Sequence, residues 1–362
     1  MGRQTVLLLG AGASVADVAT RPQKTRPPLD REFFRISAAA ESHPWQADMV
    51  RDYMLNTYGV DVFDRANDSL EGVMGRLYPD LFNGLVARQA LPAFRALLQL
   101  FTMLLAKTTN GIRPTQKRLL YRILTRLLSD GCRPGDITVI TFNQDLQVEK
   151  TLELVAQSGR WKSHADRLFC FPDLYAFGAG AWERITGAGS DQFVRSAPQS
   201  NCLRVLKLHG SLNWYSTHTS SEPSPSAMFN PARRLSVTRR RTISPDMTLK
   251  GRRKVYTLPV VVPPVNHKSA VLPRALGPVW ALAEQRLAQA DDVVVFGYSC
   301  PALDFESANL LTRAHRARAD DATLSIIDPN GAVATRYIDL LSPKRLSYYA
   351  TAHDFLVKKG PQ

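Results

Sequence analysis

The stretch Ile137 to Glu149, ITVITFNQDLQVE, decides how the chain is read. Its first five residues, Ile137 to Thr141, are all β-branched, which favours a strand. The run is apolar enough to predict a strand inside a sheet covered on both faces. Leu146, Val148 and Leu152 then resume at a helical rhythm. Between strand and helix lies Thr141-Phe142-Asn143-Gln144-Asp145. Ligands of open α/β sheets sit at the carboxyl ends of strands. Asn143 and Asp145 are two short polar side chains at such an end. An Asn/Asp helix cap accounts for them equally well.

Outward from this centre the same alternation repeats. Gln4 to Leu9 reads as a first strand, followed by Gly10-Ala11-Gly12-Ala13-Ser14. From Leu29 to Asp130 no strand is predicted. Apolar residues recur at helical spacing over Leu85–Ala106, and again at Leu120, Ile123, Leu124, Leu127 and Leu128, with Gly131 as a stop. Residues 29–130 are therefore expected to form a helical insertion. Leu203 to Leu208 is the next strand, ending in His209-Gly210-Ser211-Leu212-Asn213-Trp214. Strands at Val255–Val262, Val293–Phe296 and Leu324–Ile327 alternate with helices at Leu276–Ala290, Phe305–Ala317 and Ala332–Leu341. Strands and helices in alternation predict an α/β fold, a doubly wound Rossmann-like parallel sheet.

Composition narrows the class. The chain has 362 residues, 44% of them hydrophobic, enough for two cores or one domain with insertions. The apolar run near the N-terminus is too short for a signal-peptide core. The apolar helix Phe94–Ala106 is read as too short to span a bilayer. A cytoplasmic protein without membrane contact is expected. Cys132, Cys170, Cys202 and Cys300 form no CxxC pair, so neither zinc nor a disulfide framework is expected. Of the net charge of +14, more than half falls in Pro231–Lys254, which holds nine basic residues and one acid. Residues 217–254 are read as a Ser/Pro-rich and then basic mobile excursion. Arg233, Arg234, Arg239, Arg240 and Arg241 are its candidate contacts to an acidic partner or nucleic acid; a solvated loop accounts for them as well. No aromatic residue lies in the basic run, so any nucleic-acid binding should ignore sequence.

Several strand ends carry residues suited to a nucleotide. Gly10-Ala11-Gly12 after a strand suits close approach of backbone amides to a diphosphate, although the third glycine position is Val15. A tight strand-to-helix turn explains it too. Asp30 lies where a dehydrogenase would place its ribose-binding acid, but after Pro27-Pro28 in a loop, which argues against hydride transfer. His209, between an apolar strand and a glycine that clears space, is a candidate general base. Ser299, beside Gly297, is a phosphate or ribose candidate or a helix cap. Asn330, after the last apolar strand, is a ribose candidate or a cap. Asp304 and Glu306 open a helix and are read as structural.

In order and spacing, the segments Gly10–Ser14, Asn143–Asp145, His209–Ser211, Gly297–Ser299 and Asp328–Asn330 resemble the sirtuin-like family. The runs KLHGSLNW, GYS and PPLDREFF look most like its bacterial anti-phage branch. The resemblance covers most of residues 4–330 and implies a single sirtuin-like domain over 1–362. It implies NAD bound as substrate across Gly10, Ala11, Gly12 and Ser14. Asn143 would hold the nicotinamide ribose and position water, and His209 would be the base. Asp145 would contact the nicotinamide amide; Gly297, Ser299 and Asn330 would serve the adenosine half. The chain lacks the four-cysteine zinc module of the deacylases and has Phe142 where they carry Gln. The resemblance therefore implies an NAD glycohydrolase acting as an anti-phage effector, with acyl-lysine deacylase and non-catalytic nucleotide- or nucleic-acid-binding module as alternatives. Its partners would be an Argonaute-like protein, a ring-forming DNA-translocating ATPase or further copies in a homo-oligomer.

Overall fold

The computed structural model describes residues 2–18, 21–22, 25–39, 44–64, 68–171, 173–175, 201–219, 236–237, 246–250, 253–265, 276–302, 304–319 and 322–357. Six parallel strands form the main sheet: β1 (Thr5–Leu9), β2 (Ile137–Thr141), β3 (Arg204–Lys207), β8 (Asp292–Phe296), β9 (Thr323–Ile327) and β10 (Leu346–Tyr349). Their order across the sheet is β10-β9-β8-β1-β2-β3. The chain builds outward from β1 on one side, then returns to β1 and builds outward on the other. This is a doubly wound Rossmann-like sheet whose topological switch lies between β1 and β8, where such folds open a crevice.

Every residue of β1 and of β2 is buried, as both-face coverage demands. Successive side chains point to opposite faces. Leu7, Leu9, Val139 and Val294 pack into one core, and Val6, Leu8, Ile140 and Val295 into the other. The second core is closed by α9 (Gly277–Ala288), α10 (Phe305–Arg316) and α11 (Gly331–Leu341).

The first core is closed by the helical insertion. Its helices are α2 (Phe33–Ala39), α3 (Pro44–Tyr58), α4 (Leu70–Asp80), α5 (Ala87–Asn110) and α6 (Leu119–Ser129), which follow the short α1 (Ala11–Ala16). The stripe Leu120, Ile123, Leu124, Leu127 and Leu128 is buried on α6. Gly131 follows at φ +95°, a left-handed backbone that ends the helix. Asp30 also belongs here. Its Oδ1 accepts from the Glu71 amide at the start of α4, at 2.8 Å.

The helix read as Phe94–Ala106 is longer than expected. At 24 residues α5 is long and apolar enough to cross a membrane, but 67% of its apolar window is buried inside the protein. Its apolar faces form the centre of the helical layer, with Phe94, Leu97, Leu100 and Leu104 inaccessible.

Three further corrections concern the second half. The segment after His209 is not a strand end but a new strand, β4 (Gly210–Thr219). It pairs antiparallel with β5 (Ser236–Val237) and β7 (Arg253–Val261), and β6 (Asp246–Lys250) pairs with β7. Parts of the stretch read as a mobile excursion, 217–254, are therefore strands of a four-stranded antiparallel sheet. Arg233, Arg234, Arg239, Arg240 and Arg241 lie outside the described residues. Finally, β10 and α12 (Ala352–Val357) extend the fold past the last expected helix. After α7 (Gln147–Gln157) the chain makes short helical turns, among them α8 (Ala165–Leu168).

Candidate functional site

The switch point brings two glycine turns together. The Gly10 amide donates to the Phe296 carbonyl at 3.2 Å and the Gly12 amide to the Gly297 carbonyl at 3.0 Å. A Cβ on Gly10 would stand 2.6 Å from the Gly297 oxygen, and one on Gly297 would stand 2.3 Å from the Ala13 nitrogen. Gly297 also has φ +62°. The glycines are thus required by backbone packed on backbone. The amides of Gly10 and Gly12 are used within the fold and are not the ones the turn would present to a diphosphate. Ala11 is exposed at the turn's outer edge and Ser14 is buried at its base.

Asn143 and Asp145 leave β2 beside this turn. Asn143 Nδ2 donates to the Gly10 carbonyl at 2.8 Å and to Ser14 Oγ at 3.0 Å. Ser14 Oγ donates in turn to Asp145 Oδ2 at 2.6 Å. Asp145 Oδ1 accepts from the Gln147 amide at 2.9 Å, an Asx-type turn one residue ahead of Leu146, which is the N-cap of α7 and makes no side-chain cap bond. Asp145 is buried and both of its carboxylate oxygens are engaged inside the protein. Asn143 is different. Both of its side-chain bonds to the described residues run through Nδ2; its half-buried amide carries Oδ1 as an acceptor with no bond among them.

His209 occupies the two-residue passage between β3 and β4, where the chain leaves the parallel sheet for the antiparallel one. The Leu208 amide donates to the Thr141 carbonyl at 3.0 Å, so the ends of β2 and β3 are neighbours, and Asn143 and His209 both follow at the carboxyl edge of the sheet. The imidazole is buried, with ring centres 5.1 Å from Phe142 and 6.2 Å from Trp280. Phe142 stacks on Tyr298 at 4.0 Å. Gly210 does not clear space for a ligand. At φ +76°, its Cβ position lies 2.0 Å from the Val260 carbonyl oxygen of β7, so the room is filled by the protein's own backbone.

The adenosine-side candidates stand further along the crevice. Ser299 is half-buried in the loop after β8; Asp304, not Ser299, caps α10, accepting from the Ser307 amide. Arg336 donates to the Ser299 carbonyl at 3.0 Å. Asn330 is exposed and caps α11, its Oδ1 accepting from the Ala332 amide at 3.1 Å. Burial holds the neighbouring Asp328 carboxyl above its ordinary value, opposed by the Asn330 amide.

Two features escape the sequence. The insertion reaches the site: Ile112 and Arg118 line a narrow pocket with Ser14, Asp17, Asn143 and Asp145. Asp17 Oδ1 accepts from the Leu119 amide at 2.7 Å, and burial raises its pKa above the usual aspartate value. Beneath the site runs a buried polar chain. Lys207 donates to the Asp145 carbonyl and, at 3.0 Å, to Glu149 Oε1. Tyr175 donates to the same Glu149 oxygen at 2.9 Å, Asn213 Nδ2 donates to the Tyr175 hydroxyl at 2.9 Å, and Ser211 Oγ donates to Asn213 Oδ1 at 2.6 Å. Burial, then the Glu149 charge, holds the Tyr175 phenol protonated well above its ordinary value. The only signal in the sequence is a lysine inside an otherwise apolar strand, Val205-Leu206-Lys207-Leu208.

Among the described residues no group of His, Cys, Asp and Glu is placed to hold a metal ion. Cys202 and Cys300 are buried, and Cys132 and Cys170 are half-buried; all four are free thiols.

No protein-family model matches the chain. Comparison with curated proteins finds no significant match. Among solved structures it is similar to a Sir2 homologue in complex with NAD (13% identity, 98% of this chain and 86% of that chain covered, TM-score 0.40). It is likewise similar to a Sir2–p53 peptide–NAD+ complex (15% identity, 98% and 90% covered, TM-score 0.40). A third similar structure is a mutant Sir2 homologue with 2′-O-acetyl ADP ribose (12% identity, 98% and 89% covered, TM-score 0.42). None of these likenesses is close enough to carry a residue's role across.

Proposed function

We propose that the chain is a sirtuin-like enzyme that cleaves NAD at the nicotinamide N-glycosidic bond, with water as acceptor, to give nicotinamide and ADP-ribose. The observation that carries this reading is the posture of Asn143. Its Nδ2 is anchored to Gly10 and Ser14, and its Oδ1 is left as an acceptor at a strand end next to that of His209. The arrangement fits a nucleotide because the crevice lies at the topological switch, beside a turn and a pocket. NAD brings a cationic nicotinamide, a leaving group that departs neutral with the electron pair of the broken bond.

The chain's own residues would do the rest. Asn143 Oδ1 would accept from a ribose hydroxyl or from the attacking water and hold it in line with the anomeric carbon. The fixed dipoles of Asn143 and the surrounding carbonyls would face the positive charge that develops on the ribose, where preorganised groups are worth most. His209 would take the proton the water loses as its oxygen bonds to that carbon. Phe142 and Trp280 flank the imidazole and limit its access to bulk water. Ser299 and Asn330 would meet the adenosine half.

In this proposal the protein is a cytoplasmic anti-phage effector, switched on by a separate sensor such as an Argonaute-like protein or a ring-forming DNA-translocating ATPase, or by self-assembly. What supports that part is the resemblance of KLHGSLNW, GYS and PPLDREFF. The deciding experiment incubates concentrated protein with NAD and no peptide and separates the products by chromatography. Release of nicotinamide and ADP-ribose is expected. Intact NAD, with nicotinamide released only when an acyl-lysine peptide is added, would replace hydrolysis with deacylation.

A further inference from the structure

Lys207 has no accessible side-chain surface, and its partner Glu149 has almost none. Burying an ammonium and a carboxylate carries a large desolvation penalty, and an apolar pair of the same size often does as well or better for stability. Stability alone therefore gives little reason for a lysine here. Its geometry gives a better one. The parallel ladder between β2 and β3 ends with the Leu208 amide on Thr141. Beyond that point the chain turns away through His209, and backbone from β3 cannot reach the Asn143–Asp145 turn. The four-carbon stem of Lys207 spans the gap and donates to the Asp145 carbonyl.

The turn is held at other points as well. The Leu212 amide donates to the Gln144 carbonyl at 2.9 Å. From the opposite side Ser14 holds the Asp145 carboxylate. Asn143 opens a turn clamped from α1 on one flank and from β3 and β4 on the other. Glu149, in the first turn of α7, accepts from the same ammonium, and Tyr175 donates to that Glu149 oxygen, a bond to neither Lys207 nor the turn.

We propose that Lys207 is a positioning residue: its bond to the Asp145 carbonyl fixes the 143–145 turn and so the direction of the Asn143 amide. The consequence for turnover rests on the NAD-cleavage reading; the clamp itself does not. The test uses the full chain with both charges removed, as Lys207→Met/Glu149→Gln and as Lys207→Gln/Glu149→Gln, so that no lone ion is left buried. Tyr175→Phe, which spares the Lys207–Asp145 bond, is the comparison.

Two quantities are read. Hydrogen–deuterium exchange of the peptide spanning 142–147 is expected to quicken about tenfold or more in the double variants, with β1 and β9 peptides unchanged. With NAD, kcat is expected to fall about tenfold to a hundredfold at a KM within about threefold of the parent, because misplacing a reacting group by an ångström has that effect. Tyr175→Phe should stay within about twofold of the parent in kcat. Unchanged exchange across 142–147 in a folded double variant would overturn the assignment, and so would unchanged kcat. Failure of both double variants to fold would make Lys207 a folding residue and overturn it equally. If the parent chain leaves NAD intact, the cleavage reading fails, and the exchange data still judge the clamp.

Discussion

Ser14 Oγ donates to Asp145 Oδ2 at 2.6 Å, although 131 residues separate them. The bond ties the turn after β1 to the turn after β2, and Asn143 closes the triangle by donating to Ser14 at 3.0 Å. Serine serves as donor and acceptor at once, which alanine cannot do and a cysteine thiol does only weakly. Ser14→Ala leaves a buried Asp145 oxygen without its partner. The expected loss is about 1–3 kcal/mol of stability, read from urea unfolding, together with weaker NAD cleavage. A variant as stable and active as the parent would remove the triangle from the site.

Asn143→Ala and His209→Ala are each expected to lower NAD turnover about a hundredfold or more, with the melting transition retained. Asn143→Ala removes the open acceptor, and His209→Ala removes the base. Near-parental turnover by either folded variant, measured as nicotinamide release, would show that the site is assigned wrongly.

Gly297→Ala and Gly131→Ala make a pair. Both glycines have left-handed backbone, but a Cβ on Gly297 meets the Ala13 nitrogen at 2.3 Å whereas one on Gly131 meets nothing within 4 Å. Gly131→Ala should cost about 1–3 kcal/mol for the backbone alone. Gly297→Ala should cost more and should push the two turns apart, so that NAD binding measured by calorimetry falls with it. Equal stability losses would mean that the turns yield freely.

Asp17 sets a pH dependence. Burial raises its folded-state pKa above the unfolded value, so between the two the folded chain binds more protons than the unfolded one. Its contribution to stability is thus fully present below the unfolded pKa and is lost as pH rises through the folded pKa. Asp17→Asn keeps an acceptor for the Leu119 amide and removes the titration. The difference in unfolding midpoint between variant and parent should move in the variant's favour as pH rises from the ordinary aspartate range to neutrality. A constant difference would show that Asp17 titrates alike in both states.

Replacing Arg233, Arg234, Arg239, Arg240 and Arg241 together with Ser tests the basic stretch. If it contacts phosphates, DNA binding by the parent must weaken steeply with salt, because each contact releases counterions, and the variant must lose affinity and salt slope together. Basal NAD cleavage is the folding control. Identical binding across a salt series would leave the stretch as solvated chain.

Local chemistry determined much of this protein. Five β-branched residues at Ile137–Thr141 made a fully buried strand, and the period of Leu120, Ile123, Leu124, Leu127 and Leu128 made one face of α6, because both patterns repeat at the spacing of the element they form. The alternation of such segments determined the doubly wound sheet with its helical insertion. Polar residues at strand ends marked where a crevice would open. The tertiary structure decided what each of those residues does there. Gly10 and Gly12 are spaced like a phosphate turn, yet they and Gly297 are needed because two backbones meet, a contact between segments nearly three hundred residues apart. Asp145 and Asn143 look alike in sequence, but among the described residues Asp145 is bonded on both oxygens while Asn143 keeps one acceptor open. Nothing near Arg118 in the sequence announces that it would line the pocket beside Asn143, and nothing near Lys207 names Asp145 and Glu149 as its partners. Hydrogen bonds and close approaches between distant segments have no period, so they are legible only once the sheet has set its neighbours side by side.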